Sequence, residues 1–151
     1  MAAGGRILLA DDSANDVELA LAALGECDLA ASVDVVRDGA EAWDYLQRTG
    51  AYQGRQGDPV VVVLDVKMPK LDGIEVLRRM RSTEELRAMP AVMLTSSREE
   101  RDIVASYGLG VNAYVVKPVA FESFREVVGL LGRFWGLVNE PPPSARSGGR
   151  A

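Results

Sequence analysis

Five times along the 151 residues, a short β-branched run is followed by a segment whose apolar residues recur at helical spacing. The runs are residues 6–10, 32–37, 60–65, 91–95 and 113–116. After them come Val17, Leu21 and Leu24; then Ala42, Trp43 and Leu46; then Ile74, Leu77 and Met80. A fourth helix starts at Ser97 with Glu100 and runs to about Tyr107, and a fifth begins near Phe121 and continues through Trp135. Ser13 with Asp16 three residues on reads as an N-cap and capping box for the first helix. Strict alternation of this kind predicts an α/β fold, a doubly wound parallel sheet with helices on both faces and right-handed crossovers. Residues 60–65 are nearly all apolar and suit a central strand buried on both sides. The glycine-bearing stretch 49–59 reads as a loop, residues 6–138 as one domain, and the Pro/Gly/Ser-rich stretch 139–151 as a flexible tail.

Composition removes several classes of chemistry. A chain of this length buries enough surface to fold without disulfides or a structural metal, and its single cysteine, Cys27, reads as inert. A net charge of −5 has the wrong sign for general attraction to nucleic acid or an anionic membrane, so neither is an expected partner. With no histidine in the chain, Ser-His-Asp and Cys-His catalysis and a phosphohistidine on this protein are excluded. The longest aliphatic run, 60–64, is far short of a membrane span, which points to the cytoplasm.

In open α/β sheets ligands gather outside the carboxyl ends of the strands. Here those ends carry Asp11 and Asp12, then Asp65, then Thr95, then Lys117. Carboxylates brought that close need a proton or a cation, and Mg²⁺ suits them because it accepts one or two carboxylates while leaving positions for phosphate oxygens. Lys117 and Thr95 add an ammonium and a hydroxyl for the spread charge of a transferring phosphoryl group. The set reads as a phosphoryl-accepting site in which one carboxylate becomes an acyl phosphate.

The acidic pair in ILLADDS, the motif VVLDVKMPKLDG, the hydroxyl in VMLTSS and the lysine in AYVVKP follow one another in the order of a response-regulator receiver domain of two-component signalling, which this chain resembles over roughly residues 6–137. The resemblance implies a flavodoxin-like (βα)5 sheet of order 2-1-3-4-5, with Asp65 as phosphoacceptor. It further implies Mg²⁺ held by Asp12 and Asp65 directly, by Asp11 through water and by the Lys67 backbone carbonyl. Thr95 and Lys117 contact the phosphoryl group, Tyr114 serves as the switch aromatic, and Lys67 and Ser97 govern its lifetime. A cis Lys117–Pro118 bond is implied as well. The long loop before the third strand, the PKLDG turn and the GRFWGLVNEPP ending look most like the stand-alone receivers paired with phytochrome-type histidine kinases. The expected activity is that of a phosphoacceptor with self-catalysed phosphotransfer and dephosphorylation, not of a turnover enzyme, signalling to a downstream protein.

Other readings use similar residues. A Mg²⁺-dependent phosphohydrolase with an aspartate nucleophile needs a second Asp at the position of Lys67, and a flavin mononucleotide carrier would meet Asp11 and Asp12 where it needs phosphate-binding hydroxyls. A pseudo-receiver that only scaffolds partners would have no use for the full acceptor set. Phe121, Phe124, Phe134 and Trp135 supply aromatic surface for a homodimer through the last helix.

Overall fold

The computed structural model describes residues 5–143; the part of the expected tail beyond residue 143 lies outside the described residues. One parallel sheet has the order β2-β1-β3-β4-β5. Its strands are β1 (Ile7–Ala10), β2 (Val33–Val36), β3 (Val61–Leu64), β4 (Ala91–Thr95) and β5 (Ala113–Val116), alternating with α1 (Ala14–Gly25), α2 (Gly39–Gln47), α3 (Gly73–Arg81), α4 (Glu100–Gly108) and α5 (Phe121–Arg133). This is the predicted architecture, with the first three strands slightly shorter than the β-branched runs.

Side chains alternate across a strand, so the sheet feeds two cores. Leu8, Ala10, Leu64 and Met93 pack with Leu46 of α2 and Leu77 of α3. On the other face Leu9, Val63 and Leu94 pack with Leu24 of α1 and Phe124 and Val128 of α5. All four residues of β3 are buried, as expected of a central strand. The loop between α2 and β3 folds around buried charge. Asp58 pairs with Arg48 at 3.2 Å and Arg55 at 3.7 Å, and the Arg55 guanidinium lies over the Tyr45 ring.

Several local expectations are corrected. On α2 Trp43 packs half-buried against the same core as Ala42 and Leu46, as expected, but the periodicity omitted Tyr45, the fully buried aromatic of this helix, whose hydroxyl donates to Asp34 at 2.5 Å. Ser97 is not the cap of α4: the helix begins after Glu99, and the Ser97 hydroxyl instead donates to the buried Asp102 at 2.6 Å. The last helix does not run regularly through Trp135 but widens into a π-helical turn over Phe134–Val138, closed by the Asn139 N–H on the Phe134 carbonyl. Phe124 belongs to the core and is 4% exposed, so it drops out of the expected dimer surface. Trp135 is half-buried against the same core, edge-to-face with Phe134. Every described peptide bond is trans, Lys117–Pro118 included, against the cis bond that the resemblance implied.

Candidate functional site

Asp11, Asp65, Thr95 and Lys117 lie at the carboxyl edge of the sheet because each directly follows or ends a strand, and Asp12 comes next after Asp11. The strand ladder carries on into them: the Asp11 N–H donates to Val36, Asp65 to Ala10 and Lys117 to Thr95, at 3.1, 3.1 and 2.7 Å. Backbone bonds of this kind fix where the side chains emerge. Asp11, Asp65, Thr95 and Lys117 are buried, and Asp12 is exposed at the rim.

Carboxylate oxygens of Asp11, Asp12 and Asp65 all lie within 4.8 Å of one another. Three hard oxygen donors at this spacing, two buried and one open to solvent, fit a divalent cation that keeps some of its water. The local loops brace the trio. The Ser13 N–H donates to Asp11 Oδ1 at 2.9 Å, and the Lys67 N–H to Asp65 Oδ1 at 3.3 Å.

Lys117 is the cation present within the chain itself. Its Nζ lies 2.8 Å from Asp11 Oδ2, 2.8 Å from Asp16 Oδ2 and 2.9 Å from Asp65 Oδ2. Burial alone would lower the lysine pKa, but hydrogen bonds to these three carboxylates outweigh it and hold the ammonium well above the ordinary range. Burial raises Asp11 despite its bond to Lys117. The third partner, Asp16, was absent from the sequence-derived site. As a capping residue it is half as expected: its N–H donates to Ser13 Oγ at 3.2 Å, while the Ser13 N–H goes to Asp11 rather than back to Asp16. The carboxylate freed from the cap is the one that reaches Lys117.

A second cluster lies beside Thr95. Thr95 Oγ1 accepts from the Ser97 N–H at 3.2 Å, and the Tyr114 hydroxyl donates to the Ser97 carbonyl at 3.0 Å. Burial pushes the Tyr114 phenol up. Asp102 holds the Ser97 hydroxyl and stands 3.9 Å from Lys67 Nζ, with Glu99 at 3.8 Å. Lys67 thus leans toward α4, its side chain largely in solvent, and leaves Asp65 to Lys117. Phe121 and Phe134 are about half exposed.

The response regulator receiver domain matches residues 7–129. Response regulator Rcp1 of Synechocystis sp. (strain ATCC 27184 / PCC 6803 / Kazusa) is 35% identical over 129 residues, covering 85% of this chain and 87% of Rcp1. A Mn(2+)-bound form of Rcp1 superposes with a TM-score of 0.85 at 33% identity, over 92% of this chain and 99% of that one. The phosphorylated cyanobacterial phytochrome response regulator RcpA gives a TM-score of 0.87 at 35% identity, over 93% and 99%. The bacteriophytochrome response regulator RtBRR is 53% identical with a TM-score of 0.72, over 95% and 87%. Among the described residues no helix is long and apolar enough to cross a membrane.

Proposed function

The chain belongs to the response regulator receiver family, a signalling family that takes its phosphoryl group from histidine kinases, and on that premise we propose that Asp65 is the acceptor and that the donor is a phytochrome-type kinase in the cytoplasm. The acceptor assignment is carried by the position of Asp65 directly after the central strand β3: with Asp11 it is one of two carboxylates shared by the acidic trio and the Lys117 ammonium, and of the two it is the one that stands in the acceptor motif VVLDVKMPKLDG. The donor assignment is supported by the 53% identity to RtBRR and the similarity to RcpA.

An oxygen of Asp65 attacks phosphorus as the phosphorus–nitrogen bond to the kinase imidazole breaks. The bonding pair leaves on that nitrogen, and Asp65 becomes an acyl phosphate. Asp11, Asp12, Asp65 and the Lys67 carbonyl would hold Mg²⁺, which when bound offsets the negative charge gathered around the phosphoryl oxygens. Lys117 turns an N–H toward one of these oxygens. Thr95 gives up the Ser97 N–H and offers its hydroxyl, and the loop carrying Ser97 moves with the Tyr114 hydroxyl and with Asp102 on α4. The bistable element is therefore the β4–α4 loop with Tyr114, and its two positions are what a downstream protein distinguishes. Acetyl phosphate with Mg²⁺ should place an acid-stable, base-labile label that peptide mapping locates at Asp65. A label elsewhere, or one that survives chelation of Mg²⁺, would contradict the assignment.

The lifetime of the label is set at Lys67 and Ser97. The Ser97 hydroxyl is engaged by Asp102 and has no free hydrogen to orient a water. Lys67 has a flexible stem, a side chain largely in solvent and two long ion pairs, at 3.8 Å to exposed Glu99 and 3.9 Å to buried Asp102, so its ammonium transfers readily to a phosphoryl oxygen and obstructs in-line attack. Lys67→Asn should shorten the lifetime several-fold, about 1 kcal/mol in the hydrolysis barrier, with Mg²⁺ affinity nearly unchanged. Equal decay of the two proteins would remove Lys67 from this role.

Pairing of two copies is the remaining proposal. With Phe124 in the core, the surface left for it is Phe121, Leu130, Phe134, Leu137 and Val138, all between 47% and 70% exposed. Phe134→Ala with Leu137→Ala should shift sedimentation at micromolar concentration toward the monomer, leaving the melting temperature within a few degrees. A wild-type chain that sediments as a monomer ends the proposal.

A further inference from the structure

We propose that Asp16 is a positioning residue for phosphoryl transfer, holding Lys117 in place when its other two partners are drawn into the reaction. The inference rests on the reading of Asp65 as acceptor and extends it to a residue outside the acidic trio.

An ammonium has three hydrogens, and Lys117 gives one to each of Asp11, Asp16 and Asp65 at 2.8–2.9 Å. Two of these carboxylates belong to the trio that would hold the cation. Asp65 must also present an oxygen to the incoming phosphorus. Both are therefore partners that Lys117 shares or loses during the reaction. Asp16 is neither in the trio nor the acceptor, and its carboxylate accepts from Lys117 at 2.8 Å. It alone stays on the ammonium throughout.

The backbone makes Asp16 suitable for this. It sits in the first turn of α1, its N–H fixed on the Ser13 hydroxyl, and Ser13 is in turn fixed on Asp11. The Asp16 carboxylate thus moves with the same loop that carries the acidic pair. Without it, the pull on Lys117 would come only from Asp11 and Asp65, drawing the ammonium onto the carboxylates and away from the space a phosphoryl group enters. A cavity of about 450 Å³ opens beside Asp16 and Lys117, bordered by Ser96 and Phe121. The pair therefore stands at the approach to the site and not deep in the core.

Formation and hydrolysis of the acyl phosphate both move a phosphoryl group whose charge Lys117 meets. A misplaced ammonium slows both. At saturating Mg²⁺, Asp16→Asn should lower the maximal rate of labelling by acetyl phosphate about fivefold and the decay rate by a similar factor. The half-saturating donor concentration should change less than twofold. Asp16→Glu should recover most of the loss. In a Lys117→Ala background Asp16→Asn should have no further effect, because it acts through the lysine.

Four results would overturn the proposal: wild-type rates in Asp16→Asn, a defect that disappears when Mg²⁺ is raised, equal defects in Asp16→Glu and Asp16→Asn, or additivity with Lys117→Ala. A wild-type chain that takes no label at Asp65 overturns the acceptor reading together with this one, and the wild-type control separates that case from the other four.

Discussion

Asp65→Asn should abolish phosphoryl labelling and, in the same protein, make the metal-free fold more resistant to urea. The loss of label follows from chemistry, since an amide oxygen of the same shape is not a competent nucleophile for phosphorus. The gain in stability follows from the crowding of charge. Asp11, Asp16 and Asp65 surround one ammonium, Asp12 lies close to two of them, and the Asp65 charge is among the causes that push Asp11 up. Removing one negative charge leaves Lys117 two full partners and relieves the repulsion. A gain of about 1–2 kcal/mol is expected in chelator at neutral pH, the size of a shift of roughly one pKa unit. Added Mg²⁺ reverses the ranking. A ligand that binds only the folded state at a hundred times its Kd stabilises by about 2.7 kcal/mol, and the wild-type trio gains this while the variant, with two carboxylates, gains less. Persistent label in Asp65→Asn, or a variant no more stable than wild type in chelator, would contradict this account of the site.

How much of this was legible in the sequence depended on whether a residue's pattern had one meaning or two. Asp65, Thr95 and Lys117 were readable because each ends or follows an apolar strand, and strand ends in a parallel sheet share one edge. The order of the strands came from the resemblance, since alternation alone does not rank them. Asp16 was missed for a physical reason. Its position three after Ser13 already had a sufficient explanation as a cap, and a carboxylate's reach to a lysine 101 positions away leaves no local trace. Asp102 was missed likewise, because an acid in the first turn of a helix is ordinary near the positive end of the helix dipole, and its burial under Ser97 depends on how the loop turns. Phe124 and Phe134 recur on the same helical period. Only the packing of α5 on α1 tells which of them faces the core, and periodicity cannot distinguish core from interface.

A further consequence concerns Gly73, whose place in the LDG turn gives no hint of its effect on the acceptor. A Cβ at Gly73 would lie 2.2 Å from the Asp65 carbonyl oxygen and 2.9 Å from its carbon. The neighbour is backbone and cannot swing aside. Gly73 opens α3, and its N–H donates to the Val66 carbonyl at 2.9 Å, so the start of the helix is tied against the end of β3. To admit even a methyl group, either α3 must lift off or the backbone at Asp65 must move. Gly73→Ala should therefore cost about 3 kcal/mol of stability, at the upper end of what overpacking costs. Its effect on labelling should be larger than that on folding. A displacement of about 1 Å at a reacting group lowers a rate roughly 100-fold, and here the displaced backbone carries the acceptor and the Lys67 carbonyl two residues on. Labelling should be measured on the folded fraction, in chelated and Mg²⁺-saturated samples, with Gly54→Ala as control because nothing lies within 4 Å of a Cβ there. If Gly73→Ala loses stability but labels at the wild-type rate, the strain is taken up by α3. If it loses neither, the contact between α3 and the Asp65 backbone is not as close as described.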